Sequence, residues 1–197
     1  MGQIKKIVIL GPESTGKSTL CLQLATHYNT IWVPEYARTY LLENGMNYTY
    51  QDLLIIAKGQ LASEEQYKDE LQRTIKQSNL VANLSERARI EVSPIFIDTN
   101  MHVMKVWCEF VLGKCHDWIL NQIAQREYDL YLLCNVDLPW VKDELREYPD
   151  LESRQKLFHI YKDTMINQAV PWSEISGDYE QRLRKAVSIV DDLLAEE

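Results

Sequence analysis

Residues 5–19 read Lys5-Lys6-Ile7-Val8-Ile9-Leu10-Gly11-Pro12-Glu13-Ser14-Thr15-Gly16-Lys17-Ser18-Thr19. The run up to Leu10 is apolar without alternation, the pattern of a strand buried on both faces in a parallel sheet. The stretch from Gly11 to Ser18 matches G-x-x-x-x-G-K-[ST] in full. At average composition the four fixed positions match by chance in on the order of one chain in a hundred of this length. Beyond Gly16, Leu20, Cys21, Leu24 and Tyr28 recur at helical spacing. Strand, glycine-flanked loop and helix in that order make a phosphate cradle, because backbone N–H groups can curl around an anion and a helix N-terminus points at it.

Further along the chain, similar apolar runs recur at Ile31-Trp32-Val33, Ile95-Phe96-Ile97, Leu130-Tyr131-Leu132-Leu133-Cys134 and, more weakly, Trp172-Ser173-Glu174-Ile175. Helix-compatible stretches separate them, at about residues 50–89, 101–112, 115–126, 151–167 and 179–194. Strands alternating with helices predict a parallel sheet with helices on both faces. The expected fold is therefore α/β: a three-layer sandwich of the P-loop NTPase type, with a five-stranded parallel sheet and a helical lid at about residues 137–155. The chain is read as one domain, residues 1–197.

The composition sets limits. The chain has 21 basic and 29 acidic residues and a net charge of −8. Residues 1–50, which hold the glycine loop, are the one quarter with a positive sum, +1. A protein that holds nucleic acid or an anionic membrane needs a basic footprint, so neither partner is expected. The longest apolar runs are about five residues, too short to span a bilayer. The N-terminus carries no signal-peptide pattern, which makes the cytoplasm the default address. Four cysteines without a secretion signal are expected to be reduced thiols. Cys108, Cys115, His102 and His116 fit no metal-ligand spacing.

The loop implies ATP and Mg²⁺. Gly11, Pro12, Glu13, Ser14, Thr15, Gly16, Lys17, Ser18 and Thr19 would cradle the phosphates, with Lys17 on the β- and γ-phosphates and the Ser18 hydroxyl on the metal. Glu13 is unusual inside an anion cradle: either it turns away to a nearby cation, or it lies near the metal or the acceptor. In an open parallel sheet, ligands bind beyond the carboxyl ends of the strands. Asp98 ends an apolar strand, where a second Mg²⁺ ligand belongs; it or Thr99 could instead cap the next helix. Glu35 comes after the second strand, where a small-molecule kinase needs a base for its acceptor, although a carboxylate there also suits a helix start. Arg38 could neutralise Glu35 or touch a ligand. Arg146 and Arg154 are the cations that a lid could bring over the phosphates, or else belong to a solvated, salt-bridged helix. Ser176-Gly177-Asp178-Tyr179 lies where adenine rests in P-loop kinases, or is a simple capped turn.

Taken together, Gly11-Pro12-Glu13-Ser14-Thr15-Gly16-Lys17-Ser18-Thr19, Pro34-Glu35-Tyr36-Ala37-Arg38-Thr39, Ile95-Phe96-Ile97-Asp98-Thr99-Asn100 and the segment Asp129 to Arg146 resemble the ribosylnicotinamide kinase domain of NadR-type proteins, from Lys5 to about Val190. The resemblance implies transfer of the ATP γ-phosphate to the 5′-hydroxyl of nicotinamide riboside. It places Glu35, Tyr36, Arg38, Asp98, Thr99, Asn100 and Trp140 about the nucleoside, with Trp140, Asp143 and Arg146 in the lid. It gives catalytic roles to Lys17, Glu35, Asp98 and Arg146, and the nucleotide to the loop and Arg154. The sequence departs from the family at Pro34, where an aromatic is usual, and at Asn100, where Asp is common. A chain of this length has no room for the fused adenylyltransferase and helix-turn-helix modules of some members. A small-molecule nucleoside is the expected partner, and the sequence leaves a homo-oligomer open. A second hypothesis, motivated by the long helical region at residues 50–89, is a P-loop ATPase acting as a switch on a protein partner.

Overall fold

The computed structural model describes residues 2–85 and 90–195. Its strands are β1 (Gln3–Leu10), β2 (Trp32–Val33), β3 (Val92–Asp98), β4 (Leu130–Cys134) and β5 (Trp172–Ile175). Its helices are α1 (Lys17–His27), α2 (Tyr36–Asn44), α3 (Tyr50–Ser85), α4 (Met101–Leu112), α5 (Asp117–Gln125), α6 (Leu151–Ile166) and α7 (Tyr179–Ala195). The strands form one parallel sheet in the order β2-β3-β1-β4-β5. After β1 the chain crosses to one side, and after β3 to the other. That reversal opens a crevice beyond the carboxyl end of β1, where the glycine loop begins.

The pleat of β1 explains the unalternating apolar run. Val8 and Leu10 point into a core made with Leu71 and Ile75 of α3, Val103 and Val106 of α4 and Leu157 and Phe158 of α6. Ile7 and Ile9 point the other way, onto Leu20 and Leu24 of α1 and Ala186 and Val190 of α7. Both faces are dry, so alternation has no polar side to serve. A third apolar cluster joins Ala37 and Leu41 of α2 to Leu53 and Ile56 of α3, Met104 and Cys108 of α4 and Ile119 of α5. No helix among the described residues is long and apolar enough to cross a membrane.

The five strands and the sandwich agree with expectation. Two differences bear on the site. Residues 36–44 form α2, whose extent is not among the expected helices, although Glu35 reads as able to start one. The segment after β4 is irregular chain up to Asp150, and only from Leu151 is the expected lid helical. Pro139 and Pro149 account for this, since each removes a donor and restricts the residue before it. Of the expected helix at residues 50–89, positions 86–89 lie outside the described residues.

Candidate active site

The loop from Gly11 to Gly16 turns through three left-handed positions: Gly11 (φ 137°), Ser14 (φ 55°) and Gly16 (φ 77°). Gly11 must lack a side chain, because a Cβ there would lie 2.7 Å from the Cys134 carbonyl oxygen. Gly16 is the residue before α1, so the helix's free N–H groups face the loop. Lys17 Nζ donates to the Pro12 carbonyl at 2.9 Å, folding its ammonium over the cradle. The loop lines a cleft of ≈ 400 Å³ together with Glu35, Arg38, Asp98 and Arg146.

Two carboxylates reach this cleft from the ends of β2 and β3. Asp98 is fully buried. The Ser18 hydroxyl donates to its Oδ2 at 2.5 Å, and its Oδ1 has no partner among the described residues. Burial, and after it the negative charge of Glu35, push the Asp98 carboxyl up toward neutral pH. Glu35 accepts from the Thr99 hydroxyl at 3.3 Å. Thr99 sits at φ 76°, a costly backbone for a β-branched residue. That turn brings its hydroxyl to Glu35.

A residue that the sequence reading passed over holds these two strand ends together. Gln60, 1% exposed on α3, accepts from the Tyr36 backbone N–H at 2.8 Å and donates to the Asp98 carbonyl at 3.3 Å. Its neighbour Gly59 lets the Tyr36 ring pack against the helix; a Cβ there would lie 2.1 Å from a ring carbon. Gly59 was visible in the sequence as an interruption of a long helical pattern, and it was the one available signal for this contact. Arg182 was also missed. It is 2% exposed and donates to the carbonyls of Thr15, Asn135 and Gly177 and to the Asp137 carboxylate, tying the loop to the ends of β4 and β5.

The structure sorts the sequence-derived candidates. Residues 11–19, Glu35, Arg38, Asp98 and Arg146 line the cleft. Tyr36, Thr99, Asn100, Trp140 and Arg154 lie outside its lining. Asn100 is buried and caps α4, accepting from the His102 N–H at 3.1 Å. Arg154 is 3% exposed, and one nitrogen of its guanidinium donates to the carbonyls of Ser14 and Leu138, both at 3.3 Å, which braces the loop. Arg38 pairs with lid Asp143 at 2.9 Å, not with Glu35. Glu13 turns away, as one alternative had it, but its hydrogen-bond partners are N–H groups of the lid and not a cation: Trp140 Nε1 at 3.2 Å, Glu147 N at 2.9 Å and Tyr148 N at 2.8 Å. Asp178 and Gln181 cap α7 reciprocally, while Tyr179 lines the cleft.

Aromatic residues supply the remaining wall. Trp32, Trp107, Phe110 and Tyr148 line the cleft. The Trp107 indole N–H donates to the Tyr48 hydroxyl at 3.0 Å, and Tyr48 donates to Glu147 at 2.8 Å. Beside Pro34, then, aromatic side chains come to the cleft from β2, α4 and the lid. Trp107 carried no signal in the sequence beyond its place on an apolar helix.

The parallel sheet in this order, the glycine loop under β1 and the strand-end carboxylates define a P-loop α/β domain. By sequence the chain belongs to the AAA domain family, whose profile matches residues 6–182. It is 28% identical over 98% of its length to the trifunctional NAD biosynthesis/regulator protein NadR of Salmonella typhimurium strain LT2, and 27% identical to that of Escherichia coli strain K12. It covers 44% of each of those relatives, so it spans less than half their length. Among solved structures, a NadR protein in complex with NR superposes with a TM-score of 0.73 at 19% identity, covering 98% of this chain and 50% of that one. Thymidylate kinase from Candida albicans gives 0.57 at 17% identity, covering 97% and 92%. Deoxyadenosine kinase from M. mycoides, with bound dATP, gives 0.55 at 12% identity, covering 95% and 99%. These likenesses establish the fold.

Proposed function

We propose that the chain is an ATP- and Mg²⁺-dependent nucleoside kinase that phosphorylates the 5′-hydroxyl of nicotinamide riboside. The observation that carries this is the meeting of Glu35 and Asp98 in one cleft with Lys17 and Ser18. A phosphate cradle alone serves many reactions. A second carboxylate beyond β2, held by Thr99, gives a group able to accept the proton of an attacking hydroxyl. The likeness to NadR proteins over 98% of the chain supports the choice of nucleoside.

Each residue then has a task. Loop N–H groups and Lys17 bind and orient the triphosphate. Ser18 and Asp98 would hold Mg²⁺: both present oxygen, the donor this hard cation takes, and the partnerless Asp98 Oδ1 is a buried ligand atom in need of a cation. The ion, when bound, would neutralise phosphate charge. Glu35 orients the acceptor hydroxyl and takes its proton. Arg146 faces developing charge from the lid side. The carboxylates and aromatic faces of the cleft suit a positively charged pyridinium ring.

The test is incubation of the purified protein with ATP, Mg²⁺ and nicotinamide riboside, with the mononucleotide measured by chromatography. Turnover of a different nucleoside with none of this one would overturn the substrate and keep the class. Lys17→Ala abolishes phosphoryl transfer.

A further inference from the structure

We infer that Glu13 is a positioning residue for Arg146, acting by fastening the lid to the phosphate loop; the catalytic part of this inference rests on the kinase reading above. A carboxylate within an anion cradle opposes the ligand's charge, so its place there calls for a compensating task. The geometry supplies one. Glu13 Oε1 accepts from Trp140 Nε1 (3.2 Å) and Tyr148 N (2.8 Å), and Oε2 accepts from Glu147 N (2.9 Å). The adjacent Ser14 hydroxyl accepts from Val141 N at 2.9 Å.

These contacts bracket Arg146 in the chain, at residues 140 and 141 before it and 147 and 148 after it. Between them Arg146 turns its guanidinium back to the Val141 carbonyl and lines the cleft. The bracketed segment contains no helix, so its shape depends on what it touches. Its other side-chain ties among the described residues include the Arg38–Asp143 pair, the Tyr48–Glu147 hydrogen bond, the contact of the Phe110 and Tyr148 rings and the packing of Leu145 on the apolar cluster of α2, α3 and α4. The first has a half-exposed arginine and is weak for that reason. Glu13 alone makes three charge-assisted bonds to the lid, and such bonds are stronger than neutral ones.

The experiment compares the wild-type chain with Glu13→Ala, Glu13→Gln, Arg146→Ala and the double variant Glu13→Ala/Arg146→Ala. The first readout is tryptic cleavage after Lys142, an exposed lid residue, in nucleotide-free protein. Proteolysis tracks the population of the open segment, so Glu13→Ala is cleaved about tenfold faster or more, and Glu13→Gln, which keeps one acceptor oxygen, falls between it and wild type. The second readout is turnover. Glu13→Ala lowers kcat to the level of Arg146→Ala while the ATP dissociation constant stays within about threefold, and the double variant is no slower than Arg146→Ala. Unchanged cleavage in both Glu13 variants overturns the anchor. Multiplying losses in the double variant overturn the action through Arg146. Should the wild type turn over no nucleoside, the kinase reading fails while the cleavage arm still decides the anchor, and Glu13→Gln decides it if Glu13→Ala does not fold.

Discussion

The Ser18 hydroxyl, at the first turn of α1, donates a 2.5 Å hydrogen bond to Asp98, the last residue of β3, eighty positions away. β1 and β3 are adjacent and parallel, with Ile9 beside Asp98, so the helix start that comes after β1 is delivered to the carboxyl end of β3 by the register alone. The pair is a product of topology, and on the proposed kinase reading it would provide two oxygens to a magnesium–phosphate complex.

Asp98→Asn preserves size and the hydrogen bond from Ser18 but removes the charge. Turnover is expected to fall by about 100-fold or more. The Mg²⁺ concentration for half-maximal rate should rise, read from initial rates across a Mg²⁺ titration. Unchanged Mg²⁺ dependence would remove Asp98 from the metal site.

Glu35→Gln separates binding from chemistry. The amide still accepts from the Thr99 hydroxyl, so the segment keeps its place, but it takes no proton. The expected result is a loss of kcat of about 10²–10⁴-fold with ATP affinity intact, measured by single-turnover kinetics beside calorimetry. Full turnover in this variant would move the base assignment to Asp98.

Gly59→Ala ought to stabilise a helix interior by roughly 0.5–1 kcal/mol. Here a Cβ would enter the Tyr36 ring at 2.1 Å. Overpacking of this kind costs about 1–3 kcal/mol, so the net change in urea denaturation is destabilising. Combining it with Tyr36→Ala should restore much of the alanine's benefit. Gln60→Leu, which strands the Tyr36 N–H and the Asp98 carbonyl, is expected to cost about 2 kcal/mol.

The glycine loop, the buried strands and the strand-end acids were legible because each depends on local chemistry: φ angles open to glycine, dry sheet faces, a carboxylate where a strand stops. What escaped depends on distant partners. Trp140 gives no sign in the sequence of the Glu13 carboxylate that its indole N–H holds. Arg154 gives no sign in the sequence of the two carbonyls, Ser14 and Leu138, that its guanidinium holds. Gln60, marked only by Gly59 beside it, and Trp107, marked by nothing, lie on amphipathic helices. α2 is foreshadowed only as a helix start at Glu35, although Ala37 and Leu41, four apart, form its buried stripe.

Glu64 predicts an unusual pH dependence of stability. It is 4% exposed on α3, accepts from the Tyr128 hydroxyl at 3.0 Å, and is pushed up to about 7, chiefly by burial. Arg126, whose guanidinium pairs with Glu65, and Lys6 pull in the opposite direction without winning. In the unfolded chain a glutamate titrates near its ordinary value of about 4.3. Between these values the folded protein keeps a proton that the unfolded chain has released. The stabilising contribution is therefore present in full below about pH 4.3 and is lost as pH rises toward 7, at up to about 1.4 kcal/mol per unit. The wild type should lose stability from pH 5 to pH 7, with the loss levelling off above the folded pKa. Glu64→Gln, neutral throughout, should remove the Glu64 share of that slope, leaving that of Asp98, and be the more stable chain at pH 8. Urea denaturation of both proteins at unit steps from pH 5 to pH 8 reads the difference. Equal slopes would mean that Glu64 is ionised in the folded state and that Lys6 and Arg126 outweigh its burial.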